Sequence, residues 1–292
     1  MKKILVATDF SEAARNASEY SLELARTLHA GIVLFTAYQQ MPVPVTETPV
    51  IITLEDMRKL AQQGLDAEAK IIDPDHRINI ETYCKEGVPE KAILKAAKDT
   101  NADLIIAGMK RTGKSIRRIL GSTTTALARK TSIPLIVVPE GLKYSRIATI
   151  ALANESDLAP DEDSRLLDAL LTLAEKFYSK LYLVRVAKDK FWEAYEVLNL
   201  PLRLSRMMRT LDPVYECIEG KDIPQALNEF IDAYHVTMLA MIPHKHSFLD
   251  KWFIKSTTRS MIFKSNVPLL ILPDLPAATK SRKLTQKEEK IW

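Results

Sequence analysis

The chain is expected to be an α/β protein built as two tandem doubly wound halves, each a five-stranded parallel sheet with helices on both faces. Three observations carry this expectation. Residues 99–140 lie over residues 233–274 at a constant offset of 134, with Ser122 over Ser256, Thr123 over Thr257, Pro134 over Pro268 and Pro139 over Pro273; a match across such unlike residue types marks an internal repeat. Short Val/Ile/Leu runs alternate with stretches of helical spacing, as strands covered on both faces require. At 292 residues, 47% hydrophobic and 27% charged, the chain is long and apolar enough for two ordinary cores.

In the first half the strands are ILVA (4–7), IVLF (32–35), RINIETYC (77–84), LIIA (104–107) and LIVV (135–138). The third alternates with period two and the others are continuous apolar runs. Helical spacing predicts helices near 12–28, 54–72, 89–99 and 122–131, and MPVPVTETPV (41–50), with three prolines, reads as a loop. The second half repeats the plan, with strands near 147–152, 181–186, 214–218, 238–241 and 269–272. The domains are therefore expected at 1–141 and 142–274, followed by a charged tail at 275–292.

That tail holds five Lys/Arg against two Glu and supplies most of the formal charge of +4. The body is close to neutral, without the basic field that nucleic-acid binding needs. No run of about 18 apolar residues predicts a membrane span, and MKKILVATDF, which enters a strand at once, predicts no signal peptide. Cys84 and Cys217 recur at equivalent places, in YCKEG and YECIEG, and such sparse usage suits a reducing, cytoplasmic compartment.

Ligands of open α/β sheets bind beyond the carboxyl ends of the strands, where strand order reverses. The segment after the fourth strand, Gly108-Met109-Lys110-Arg111-Thr112-Gly113-Lys114-Ser115, satisfies the P-loop pattern literally, which would place Lys114 on terminal phosphates and Ser115 on magnesium. Against this, a helix starting at Lys114 would contain Gly121, at a cost of about 1 kcal/mol relative to Ala. The second half reads IPHKHSFL at the same place. A second reading starts the helix at Gly121-Ser122-Thr123, with Ser122 as N-cap and a phosphate resting on the free N–H groups of the first turn.

KILVATDFSEAA (3–14), EGVPEKAILKAAKDTNADLIIAG (86–108) and the spacing from Gly108 to Gly121-Ser122 together resemble the universal stress protein family in its tandem form. The family signature is Gly, two residues, Gly, nine residues, Gly and Ser or Thr; Arg111 stands at the middle glycine, with Gly113 two positions on. The resemblance implies Rossmann-like domains of the adenine nucleotide alpha hydrolase-like kind. It further implies that Ala7, Thr8 and Asp9 end the first strand, with Asp9 meeting the ribose or the adenine edge, and that Ala37 lines the adenine pocket. Ala107 and Gly108 would sit under ribose and phosphates, and Gly121, Ser122 and Thr123 would bind phosphate oxygens. Lys110 and Arg111, with Lys114, Arg117 and Arg118, would neutralise phosphate, or else form a solvated loop face. Asp9 and Ser11, lying just before a helix, also suit capping.

The ligand implied is ATP or AMP, with magnesium as a companion ion, in a regulatory module that is at most a weak ATPase. A protein partner is implied without being identified. Because the fifth strand commonly mediates dimerisation in the family, the halves should form an intramolecular pseudo-dimer about 134–139 and 268–273, with room for a homodimer. Two alternatives stand beside this: an interaction protein whose nucleotide site Arg111 has disabled, and a P-loop NTPase using residues 108–115. In the second half, Leu152 is read at the place of Asp9, Ile242 at Gly108 and Lys255 at Gly121, which predicts a closed site in which Ser256 and Thr257 remain as a helix cap. His244 and His246 lack the companions a metal needs, and Met207, Met208, Met238 and Met241 read as core filling.

Overall fold

The computed structural model describes residues 1–39, 53–110, 122–153, 167–187, 211–220, 222–242 and 267–273. The first half runs β1 (Lys3–Ala7), α1 (Glu12–Leu28), β2 (Gly31–Tyr38), α2 (Leu54–Ile72), β3 (Ile80–Glu86), α3 (Pro89–Asp99), β4 (Leu104–Met109), α4 (Ser122–Lys130) and β5 (Leu135–Pro139). The second runs β6 (Thr149–Ala153), α5 (Asp168–Phe177), β7 (Lys180–Ala187), β8 (Val214–Glu219), α6 (Ile223–Ala233), β9 (Met238–Met241) and β10 (Leu269–Ile271).

Helix ends follow local chemistry. Ser11 caps α1 by accepting from the Ala14 N–H, and Thr53 and Asp56 form a reciprocal capping box at the start of α2. α1 ends at His29 in the left-handed region (φ 56°), and α5 ends in the same way at Tyr178 (φ 51°). Each strand sends alternate residues to opposite faces. Ile4, Val6, Ile106 and Ile136 pack in a cluster with α1 and α2, whereas Leu5, Ile105, Leu135 and Val137 pack in another with α3 and α4. α5 joins the first cluster through Leu170 and Leu173, and α6 joins the second through Leu227 and Phe230.

The sheet order is β3-β2-β1-β4-β5-β10-β9-β6-β7-β8. Neighbours within each half are parallel, so each half is doubly wound with its switch point beside its first strand, at β1/β4 and at β6/β9. The halves are fused into one ten-stranded sheet by a single antiparallel pairing, Leu135↔Ile271, Ile136↔Leu270 and Val137↔Leu269. This register is symmetric: Ile136 faces Leu270, its own counterpart in the repeat, and Leu135 faces the counterpart of Val137.

Three readings need correction. The third strand begins at Ile80 and runs to Glu86, later than 77–84, because the preceding residues serve a turn in which Asp73 accepts from the Ile78 N–H. Ser122, expected as the N-cap of the fourth helix, is already the first helical residue of α4. Leu152 is the counterpart of Val6, not of Asp9: it pairs with Ala240 as Val6 pairs with Ile106. Continuing past Ala7 and Ala153, the places of Thr8 and Asp9 fall on Asn154 and Glu155, outside the described residues. Ile242 remains the counterpart of Gly108 and is buried in the first cluster. Met238 and Met241 are buried, while Met207, Met208, His244, His246, Lys255, Ser256 and Thr257 lie outside the described residues. Cys84 and Cys217 form no disulfide, and no helix among the described residues is long and apolar enough to cross a membrane.

Candidate functional site

A cleft of about 740 Å³ opens at the carboxyl ends of β1, β2 and β4. Such a volume is typical of small-molecule sites, and the switch point is where open α/β sheets hold them. Ala7, Thr8 and Asp9 from the end of β1 line it together with Ala37 of β2. Ala107, Gly108 and Lys110 enter from β4 and its exit, and Ser122 and Thr123 enter from the first turn of α4. The structure thus brings nine of the eleven sequence-selected residues to one cleft. Arg111 and Gly121 lie outside the described residues, as do Lys114, Ser115, Arg117 and Arg118 of the basic segment.

Asp9 is exposed at the rim. Its Oδ1 accepts from the Ser11 N–H at 3.0 Å, and Lys110 Nζ lies 3.2 Å from its Oδ2. The capping role falls to Ser11, while the Asp9 carboxylate closes the turn. Partial burial pulls the Asp9 pKa up, but hydrogen bonds from Ser11 and the Lys110 ammonium outweigh it and hold the carboxyl below its ordinary 3.8. A depressed pKa favours the ionised form. The stabilisation it brings is present above pH 3.8 and is lost as the pH falls through the lower folded value. Lys110→Met is therefore expected to raise the Asp9 pKa towards its ordinary value, read from an NMR titration of the carboxyl carbon; an unchanged pKa would show that Ser11 alone sets it.

Gly108 holds β4 against α1. A β-carbon there would lie 2.4 Å from Ala13 O and 2.6 Å from Ala13 C. Thr124 Oγ1 donates to Gly108 O at 3.5 Å, which ties α4 to the same strand end.

The remaining wall was not selected from the sequence. Met57, Leu60, Ala61 and Gly64 of α2 line the cleft at helical spacing, joined by Phe10. Their i, i+3, i+4, i+7 pattern was a usable signal of a shared face. Phe10 has φ 60°, unusual for a bulky residue, and its ring lies over Gly64, where a β-carbon would come within 2.8 Å of Phe10 Cζ. Gly64→Ala gains up to about 1 kcal/mol of helix propensity and displaces a half-exposed ring rather than backbone. The expected result is a urea midpoint equal to or above the parent's, with shifted Phe10 ring resonances; a lower midpoint would mean that the ring cannot move.

Comparison with known proteins agrees with this architecture. Residues 1–139 match the universal stress protein family. A universal stress protein of Methanocaldococcus jannaschii is 27% identical over 147 residues, covering 49% of this chain and 84% of that protein. The crystal structure of a universal stress protein from Archaeoglobus fulgidus superposes with a TM-score of 0.70 at 16% identity, covering 93% of this chain and 98% of that one. A putative universal stress protein structure from Pseudomonas aeruginosa gives 0.57 at 11% identity, covering 94% and 93%. At these identities the two structures establish a shared fold spanning both halves. The first half of the chain, residues 1–139, is a domain of the universal stress protein family.

Proposed function

We propose that the first-half cleft binds an adenine nucleotide, ATP or AMP, and that the chain is a nucleotide-responsive regulatory module rather than a dedicated enzyme. The observation that carries this reading is the meeting of Asp9, at the end of β1, with the first turn of α4 across one cleft. A carboxylate suits ribose hydroxyls or an amino edge, and free N–H groups at a helix start suit phosphate. Lys110 is placed to exchange its contact with Asp9 for a phosphate oxygen. Asp9 is the one carboxylate lining the cleft among the described residues, so a magnesium ion would be held chiefly by the phosphates themselves. The regulatory reading rests on the family match of residues 1–139, the pseudo-dimer on the β5–β10 pairing, and a cytoplasmic location on the sparse cysteines, Cys84 and Cys217, which form no disulfide.

Binding is confined to the first half in this reading, because Ile242, buried in the core, stands at the place of Gly108, whose bare backbone lines the first-half cleft. Calorimetric titration of the full chain with ATP and AMP is expected to give one site per chain, weakened about tenfold to a hundredfold by Asp9→Ala. No heat of binding overturns the nucleotide reading; two equivalent sites overturn its asymmetry.

A further inference from the structure

Glu68 lies on α2 behind the cleft wall, 3% exposed and outside the cleft lining. A carboxylate drawn out of water needs donors, and here they are hydroxyls: Thr8 Oγ1 donates to Oε2 at 3.1 Å and Ser18 Oγ to Oε1 at 2.8 Å. No ion pair among the described residues reaches it.

The Thr8 hydroxyl has one proton. Committing it to Glu68 leaves a lone pair for the Phe10 N–H, which donates to Thr8 Oγ1 at 3.0 Å. That bond holds Phe10 in the left-handed region (φ 60°), and Asp9 sits between the two bonded residues with its own oxygen on the Ser11 N–H. The whole turn from Thr8 to Ser11 is thus braced from behind by one buried side chain.

We infer that Glu68 is a positioning residue: by holding the Thr8 hydroxyl it fixes the turn that presents Asp9 to the cleft, and so sets the affinity for the ligand. The affinity part rests on the nucleotide reading; the effect on the turn does not. A purely structural role, pinning α2 to α1 through Ser18, makes a different forecast.

The test uses the full chain with Glu68→Leu, Glu68→Gln, Thr8→Val and Ser18→Ala. Folding is checked by circular dichroism, and the readouts are amide hydrogen exchange at Phe10 without ligand and calorimetric titration with AMP. Glu68→Leu and Thr8→Val should each speed exchange at Phe10 about tenfold and weaken AMP about tenfold, with the double variant no worse than Thr8→Val alone. Glu68→Gln should stay near the parent: its amide oxygen accepts from Thr8, and its NH2 donates to Ser18 Oγ while the Ser18 hydroxyl donates to Ala14 O, already 3.1 Å away. Ser18→Ala should leave Phe10 exchange unchanged. Unchanged Phe10 exchange in folded Thr8→Val and Glu68→Leu, or additive losses in the double variant, would overturn the inference. Should the parent fail to bind AMP, the nucleotide reading falls while the exchange rates still decide the positioning role.

Discussion

Gly108→Ala is expected to destabilise the protein by about 1–3 kcal/mol, lowering the melting temperature by about 2–12 °C, and to distort the cleft. The new β-carbon would meet the backbone of Ala13 at 2.4 Å and the Ala14 nitrogen at 2.9 Å, at the start of α1. Both sides are anchored. β4 is paired on each edge, to β1 and to β5, and α1 is packed through Ala17, Leu24 and Ala25 into the core. With neither able to yield alone, the strain spreads into a shift of α1, carrying Ser11 and the Asp9 turn with it. The contrast with Gly64 is instructive, since there the obstacle is the tip of an exposed ring. Denaturant melts of the two alanine variants should move in opposite senses or leave only Gly108→Ala displaced; a Gly108→Ala variant of parental stability would refute the close approach.

Leu270→Lys is expected to cost more, because it buries an ammonium at the seam between the halves. Leu270 is fully buried, faces the equally buried Ile136, and shares a cluster with Val138, Ile150 and Leu152. Truncation alone, Leu270→Ala, should cost about 2–5 kcal/mol; an unpaired buried charge adds several kcal/mol to that. Among the described residues β10 contributes three residues to the ladder, and Leu270 is the middle one. Calorimetric melting should show the second half lost at lower temperature than the first, with faster proteolysis of residues beyond β5. A single unchanged transition would mean that the seam contributes little.

Most of the architecture was legible because buried parallel strands must be continuous apolar runs, so ILVA, LIIA and LIVV announce themselves, and Ser11, Thr53 and Pro89 mark helix starts by their own chemistry. The register of β6 was not legible. Its Thr-Ile-Ala-Leu-Ala offers several equally plausible slides, and only pairing with β9 decides that Leu152 answers Val6. At the site, the polar residues were visible because they end strands or begin a helix. Glu68 was not, since an acid on a helix normally faces water, and its burial depends on hydroxyls 60 and 50 residues away in sequence. The α2 wall had the right periodicity, but nothing local tells which way the helix after the proline-rich stretch 41–50, itself outside the described residues, turns its face.

The symmetric register at Ile136 and Leu270 has a genetic consequence. When two identical chains meet at a twofold axis, every substitution is made twice, and one at the axis meets its own copy. In a single chain carrying both sides, each seam residue can change alone while its opposite keeps the old shape. Ile136 opposite Leu270, and Val137 answered in the repeat by Ile271, already differ in this way, while Leu135 and Leu269 are still alike. Covalent linkage thereby releases the two halves from having to evolve in step, and one can drift while the other stays under selection.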